Sequence, residues 1–209
     1  MTTRRDNLRR LTLLSLSVVG GTRSLPVGAT AYLEPTEALK ILAPAGASFE
    51  RANVEIDAST LARIAAAAQR RPPRGFRPDC WIIRTGATRA GWVVFDRVVG
   101  KYELIDYAVG FASGGEITGV EILAYRESHG AEIRNARWRG QFVGRAGPAQ
   151  IRFEDDIRNI TGATLSSRHI TEGVQRLSAL VSLVLNVAPN PAPNPAPNLA
   201  PNLVPKARE

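Results

Sequence analysis

Four stretches of the chain, residues 81–84, 91–99, 102–111 and 116–125, run apolar or alternate apolar with polar side chains. Period-two alternation sends successive side chains to opposite faces, which is the pattern of a strand. The four follow one another, with Ser113-Gly114-Gly115 as the turn between the last two, and predict an antiparallel sheet. Nearer the C-terminus the period changes. Ile170, Val174, Leu177 and Val181 fall at spacings of four, three and four, one face of a helix expected from Ser167 to about residue 187. A helix with one apolar stripe must bury it, and the sheet is the available surface. The expected fold class is therefore α+β, an antiparallel sheet packed with helices.

The N-terminal half adds two shorter helices. Thr36 can cap a helix over residues 37–42, and Asp57 or Ser59 can cap another over 61–69. Arg70-Arg71-Pro72-Pro73-Arg74-Gly75 then breaks the chain before the strands begin. Residues 131–142 read as helical or irregular. With 209 residues and 44% hydrophobic content, one core and one domain are expected.

That domain is expected to span residues 32–187, between two segments of different character. Four arginines precede the short apolar run Leu11-Thr12-Leu13-Leu14-Ser15-Leu16-Ser17-Val18-Val19, and Ala29-Thr30-Ala31 offers small residues at a cleavage position. Residues 1–31 thus read as an export signal peptide, with the mature chain starting at Tyr32. Thr3-Arg4-Arg5-Asp6-Asn7-Leu8 partly matches a twin-arginine signal, so the Sec and twin-arginine routes both stand, and the expected location is periplasmic or otherwise extracytoplasmic. Residues 188–209 repeat Ala-Pro-Asn-Pro and Ala-Pro-Asn-Leu, and their prolines predict a disordered, extended tail. The formal charge is +8, of which the leader carries +4. The remainder is spread without a basic run, which argues against nucleic acid as a partner. Cys80 is the only cysteine and reads as a small buried group, and with two histidines in the chain no Cys/His metal site is expected.

One stretch carries chemistry. Thr161-Gly162-Ala163-Thr164-Leu165-Ser166-Ser167 sets hydroxyls around two of the smallest residues at the mouth of the last helix. A helix start presents unpaired N–H groups and the positive end of the dipole, which favour a phosphate. Gly162 and Ala163 leave the backbone open to close approach. The residues themselves thus define an accessible Thr164 hydroxyl beside an anion site.

This segment resembles the flavinylation motif of the FMN-binding domain family, found in the G subunit of Rnf complexes and the C subunit of Na⁺-pumping quinone reductases. Three further segments resemble that family in order and spacing, over about residues 36–185. They are the strand Gly91-Trp92-Val93-Val94-Phe95-Asp96-Arg97-Val98-Val99-Gly100-Lys101, the hairpin return ending in Tyr125-Arg126-Glu127-Ser128-His129-Gly130, and Arg137-Trp138-Arg139-Gly140-Gln141-Phe142-Val143-Gly144. The resemblance implies FMN as cofactor, joined through its phosphate to Thr164 by a separate magnesium-dependent flavin transferase. It departs at Arg158, where the family has Asp; Asp155 and Asp156 lie just upstream. A second Thr85-Gly86-Ala87-Thr88 lies between two strand-like runs and reads as a hairpin loop with no helix to follow.

The resemblance also implies the remaining site residues. Gly162, Ala163 and Leu165 would line the attachment point, and Thr161 and Ser166 would either bond the phosphate or cap the helix. Residues 126–130 are the loop expected beside the flavin ring. Lys101 or Arg126 would place a cation at the ring's pyrimidine edge. Glu127 and Gly130 are further cofactor-binding candidates in that loop, and His129 is a candidate proton relay or a plain surface residue. Trp138 either stacks near the ring or fills the core. No catalytic residue is assigned. The function implied is an electron carrier between membrane or periplasmic redox partners, more than a stand-alone enzyme. The alternatives are a flavin-dependent reductase of a small external acceptor and a flavin-free binding or sensory relative.

Overall fold

The connections between successive long strands are only a few residues, far shorter than a parallel crossover needs, so each strand must return antiparallel to the one before it. The computed structural model describes residues 30–187; residues 1–29 of the expected 1–31 leader and the tail 188–209 lie outside the described residues. The long strands are β3 (Asp79–Thr85), β4 (Thr88–Val99), β5 (Leu104–Ala112) and β6 (Ile117–Tyr125). Two shorter ones, β1 (Thr30–Ala31) and β2 (Ser48–Ala52), complete a six-stranded sheet in the order β1-β6-β5-β4-β3-β2. Every pairing is antiparallel. The last two residues of the expected leader thus lie along the β6 edge.

The central strands are covered on both faces, which explains why they run apolar where a one-sided sheet would alternate. On one face α1 (Pro35–Leu42) sets Ala38, Leu39 and Leu42 against Trp81, Ile83, Val93, Phe95 and Leu123. The other face carries the larger core, built from Cys80, Ile82, Val94, Tyr107 and Val109 beneath α2 (Ala58–Ala67) and α4 (Thr164–Leu180). Cys80 packs there as an apolar group, and burial pushes its thiol pKa up, which keeps it protonated.

Several boundaries differ from those expected. Helix α1 starts at Pro35 with Glu34 as N-cap, ahead of Thr36, because Pro is pre-set for the first helical position and the Glu37 side chain accepts from the Glu34 amide. Asp57 caps α2, its carboxylate accepting from the Thr60 amide at 2.7 Å, and Ser59 donates to that same carboxylate. Residues 131–142 become a 3₁₀ turn at Ala131–Arg134, the short α3 (Ala136–Arg139) and a second 3₁₀ turn at Gly140–Phe142. Helix α4 begins at Thr164, three residues before the expected Ser167, and closes in a π turn at Val181–Leu185. Among the described residues no helix is long and apolar enough to cross a membrane.

Helix α4 is locked to the sheet by a buried polar trio. Arg176 Nη2 donates to Asp96 Oδ2 at 2.9 Å, and the Tyr107 hydroxyl donates to the same oxygen at 2.9 Å. Burial pushes the Tyr107 pKa well up and the Asp96 charge adds to it, so the hydroxyl remains a donor. Gly173 lets the helix come this close, since a Cβ there would meet the Tyr107 hydroxyl oxygen at 2.3 Å. An ion pair so enclosed adds little net stability while both partners are present, but removing one strands a charge. Arg176→Met should therefore lower unfolding free energy by about 3–5 kcal/mol. Adding Asp96→Asn should recover part of that loss through coupling of the two sites. Urea melts of the single and double variants measure both.

Candidate functional site

Thr164 is the first residue of α4 and is exposed to solvent, while the N-cap position belongs to Ala163, which has no side-chain oxygen to offer. Neither Thr161 nor Ser166 substitutes for it, and the helix has no side-chain cap. Gly162 sits at φ 87°, a left-handed conformation that favours glycine, and a Cβ built on it would meet nothing within 4 Å. The first-turn N–H groups lack acceptors inside any α-helix, and the chain is open at Gly162 and at the exposed Thr164 beside them. An anion held there would also lie at the positive end of the α4 dipole.

The Thr164 hydroxyl is oriented by a residue that the motif does not contain. Asn159 Nδ2 donates to Thr164 Oγ1 at 3.3 Å, while Asn159 Oδ1 accepts from Ser167 Oγ at 3.0 Å. Ser167 Oγ also lies 3.1 Å from the Thr164 carbonyl oxygen. The amide thus bridges the first turn of α4 to the loop before it. Only its position five residues ahead of Thr164 could have drawn attention to it in the sequence.

Two other loops meet this helix start. The Tyr125 hydroxyl donates to the His129 carbonyl, which leaves Ser166 Oγ, 3.2 Å away, as donor to Tyr125. Ser166 is buried in that contact, directed into the protein and away from the helix mouth. Gly130 packs on Ala163, since a Cβ at Gly130 would come within 3.0 Å of the Ala163 Cβ. The loop of residues 127–130 is therefore sewn to the first turn of α4. One turn further along, His169 Nδ1 reaches the Val99 carbonyl at 2.6 Å and the Gly100 carbonyl at 3.1 Å. As carbonyls only accept, Nδ1 carries the proton.

Glu127 ties the turn at residues 100–103 to this assembly. Its Oε1 accepts from the amides of Tyr102 at 2.6 Å and Glu103 at 2.9 Å. Burial pushes the Glu127 carboxyl up, but those amides, with the Lys101 charge, outweigh it and hold the pKa below its ordinary value. Lys101 is exposed, its ammonium 4.9 Å from the Tyr102 ring centroid. Arg126 is committed: it donates to the Leu104 carbonyl at 3.0 Å and pairs with Asp106 at 2.6 Å. His129 is exposed, with Nδ1 3.0 Å from Ser128 Oγ.

Around the motif the upstream residues have structural duties. Asp156 accepts from the Arg152 amide and guanidinium at 2.9 Å each, which lowers its pKa, and Asp155 pairs with Arg152 at 3.5 Å. The Arg158 side chain is exposed, while its backbone is held by Gln141 Oε1 and by Trp138 Nε1. Trp138 is a core residue, edge-on to Phe142 with ring centroids 5.4 Å apart. A hollow of about 510 Å³ opens beside Asn159, walled by Trp138, Gln141, Arg158 and Ile160. The second Thr-Gly-Ala-Thr is a hairpin: Thr85 pairs with Thr88 across Gly86 and Ala87, and no helix follows. Among the described residues no group of three or more His, Cys, Asp or Glu is placed to hold a metal ion.

Residues 100–179 match the family model of the FMN-binding domain. The match runs from the turn at Gly100 through β5, β6 and nearly all of α4, and so contains the whole helix mouth. No curated protein matches the chain. The chain carries an FMN-binding domain, and FMN is its cofactor. The residues present fit that group: an uncapped helix start for a phosphate, with an exposed hydroxyl in its first turn.

Glu127 gives this region a pH signature. A carboxyl whose folded pKa is depressed contributes stability above its unfolded value, near 4.5, and loses it as pH falls through the folded value. The stability difference between the parent and Glu127→Gln should therefore be constant above about pH 5.5 and shrink in acid. Urea midpoints across pH 3–7 test this, and a difference that grew in acid would contradict it.

Proposed function

We propose that FMN is joined through its phosphate to the Thr164 hydroxyl oxygen, and that the protein is an exported electron-transfer flavoprotein. The observation that supports this reading above all others is the first turn of α4, with Thr164 exposed and no side chain capping the helix. FMN supplies one- and two-electron redox chemistry at its isoalloxazine ring, and the protein holds and tunes it.

The roles of the chain's own residues follow. First-turn amides of α4 receive the phosphate oxygens, and Gly162 keeps the approach clear. Asn159 holds the Thr164 oxygen in one rotamer. Among the described residues the hydrogen-bond partner of that oxygen is an amide, which cannot act as its base. The hydroxyl therefore needs a partner enzyme to take its proton, a role that a magnesium-dependent flavin transferase performs. The loop of residues 127–130 borders the tethered group. Lys101 is better placed than Arg126 to face a reduced, anionic ring, because Arg126 is spent on Asp106. His129, exposed on the same loop, is the candidate to carry protons to bulk solvent.

Export completes the reading, since a covalent tether retains the cofactor in a compartment where free FMN is scarce. N-terminal sequencing of fractionated cells should find a mature chain beginning at Tyr32. Co-expression with a flavin transferase, followed by intact mass and peptide mapping, tests attachment. One flavin should appear on the Thr164 peptide, persist in Thr88→Ala and vanish in Thr164→Ala. At limiting transferase, Asn159→Ala should lower occupancy, whereas Arg158→Asp should raise it without altering the melt. Parent protein that never accepts flavin would favour the flavin-free binding relative.

A further inference from the structure

A cleft of about 840 Å³ opens where β3 begins and β4 ends, roofed by residues 70–79 and by the middle of α4. Its lining includes seven arginines and only three carboxylates. Each carboxylate is already matched: Asp79 to Arg51 at 2.7 Å, Glu172 to Arg70 at 2.9 Å and Asp96 to Arg176 at 2.9 Å. Arg97 reaches Asp106 outside the cleft at 3.4 Å. Arg71, Arg74 and Arg77 have no carboxylate partner among the described residues, and Arg77 bonds only the neutral carbonyls of Ile56 and Phe76.

We propose that this cleft binds a small organic polyanion of about nucleotide size, through phosphate or carboxylate oxygens held by Arg71, Arg74 and Arg77. The volume lies in the range of small-molecule sites. Guanidinium groups present paired N–H donors that match the oxyanions of both classes. The lining also includes the apolar side chains of Phe76, Val98 and Leu104, which suit the organic body of such a ligand. Phe76 itself is fixed beneath Arg176, 5.0 Å from ring centroid to guanidinium carbon. Pro72 and Pro73 stiffen the segment that carries the arginines, which reduces the ordering cost of binding. Val99 and His169 bring one end of the cleft near the start of α4, but Thr164, Lys101 and residues 126–130 are not in its lining, so the cleft is distinct from the attachment point itself.

The test is calorimetric titration of the full chain at low ionic strength with ADP and, separately, with citrate. At least one should bind saturably at one equivalent. ADP alone would identify phosphate as the recognised group, citrate alone carboxylate. Arg71→Glu with Arg74→Glu should weaken binding at least about tenfold, the loss expected when charge-assisted hydrogen bonds are removed. Arg137→Glu, an equal step in charge per site in the hollow beside Asn159, should leave affinity within about twofold, as a distant surface change does. Thr164→Ala should bind as the parent does, which separates this site from flavin attachment. Absence of saturable binding by both probes at millimolar concentration would overturn the proposal. A loss in Arg137→Glu at least half as large on a logarithmic scale as that of the double variant, the share its half-sized charge change would give if the effect were one of net charge, or binding restricted to flavin-free protein, would overturn it as well. Melting temperatures confirm that the exposed substitutions leave the fold intact.

Discussion

The ion pair between Arg176 and Asp96 fixes where α4 lies on the sheet, and everything at the helix mouth depends on that placement. A helix packed by apolar contact alone can slide or roll with little penalty, because such contacts are non-directional. A guanidinium meeting a buried carboxylate, itself held by Tyr107, has one position. Arg176 lies twelve residues beyond Thr164, about 18 Å along the axis at the α-helical rise. His169 supplies the second fixed point, on the carbonyls of Val99 and Gly100. With register and rotation both set, Gly130 meets Ala163 and Tyr125 meets Ser166.

Much of this architecture is legible in the residues, and the failures have physical reasons. Strands covered on both faces make long apolar runs, and α4 has a strong helical period, so both declare themselves. Strand β2 does not, because Ser48-Phe49-Glu50-Arg51-Ala52 is a short polar edge whose charges pair across to β3, Glu50 with Arg84 and Arg51 with Asp79. The start of α4 is misjudged for a different reason. Cap rules look for a side-chain oxygen at the N-cap, and this helix begins on an alanine.

Charge is where linear reading falls furthest short. Read along the chain, the arginines form no long basic run, which argues only against a nucleic-acid stripe. Folding gathers residues as distant as Arg51, Arg97 and Arg176 around one cleft, with Arg70, Arg71, Arg74 and Arg77 of the segment before β3 supplying the rest. Asn159 is invisible for the same reason, since its value lies in what it touches. The motif names the hydroxyl, and the fold supplies the amide that aims it.

The alanine at the head of α4 carries a consequence for the order of events in the protein's life. A helix whose first turn lacks a cap is frayed relative to one that has it, by roughly 1 kcal/mol. A phosphate esterified to Thr164 would stand among those same amides, as a cap that arrives after synthesis and cannot dissociate. Flavin attachment at Thr164 would then also be the closing step of folding: it would tighten the turn that carries it and leave the flavin-free chain the looser of the two forms.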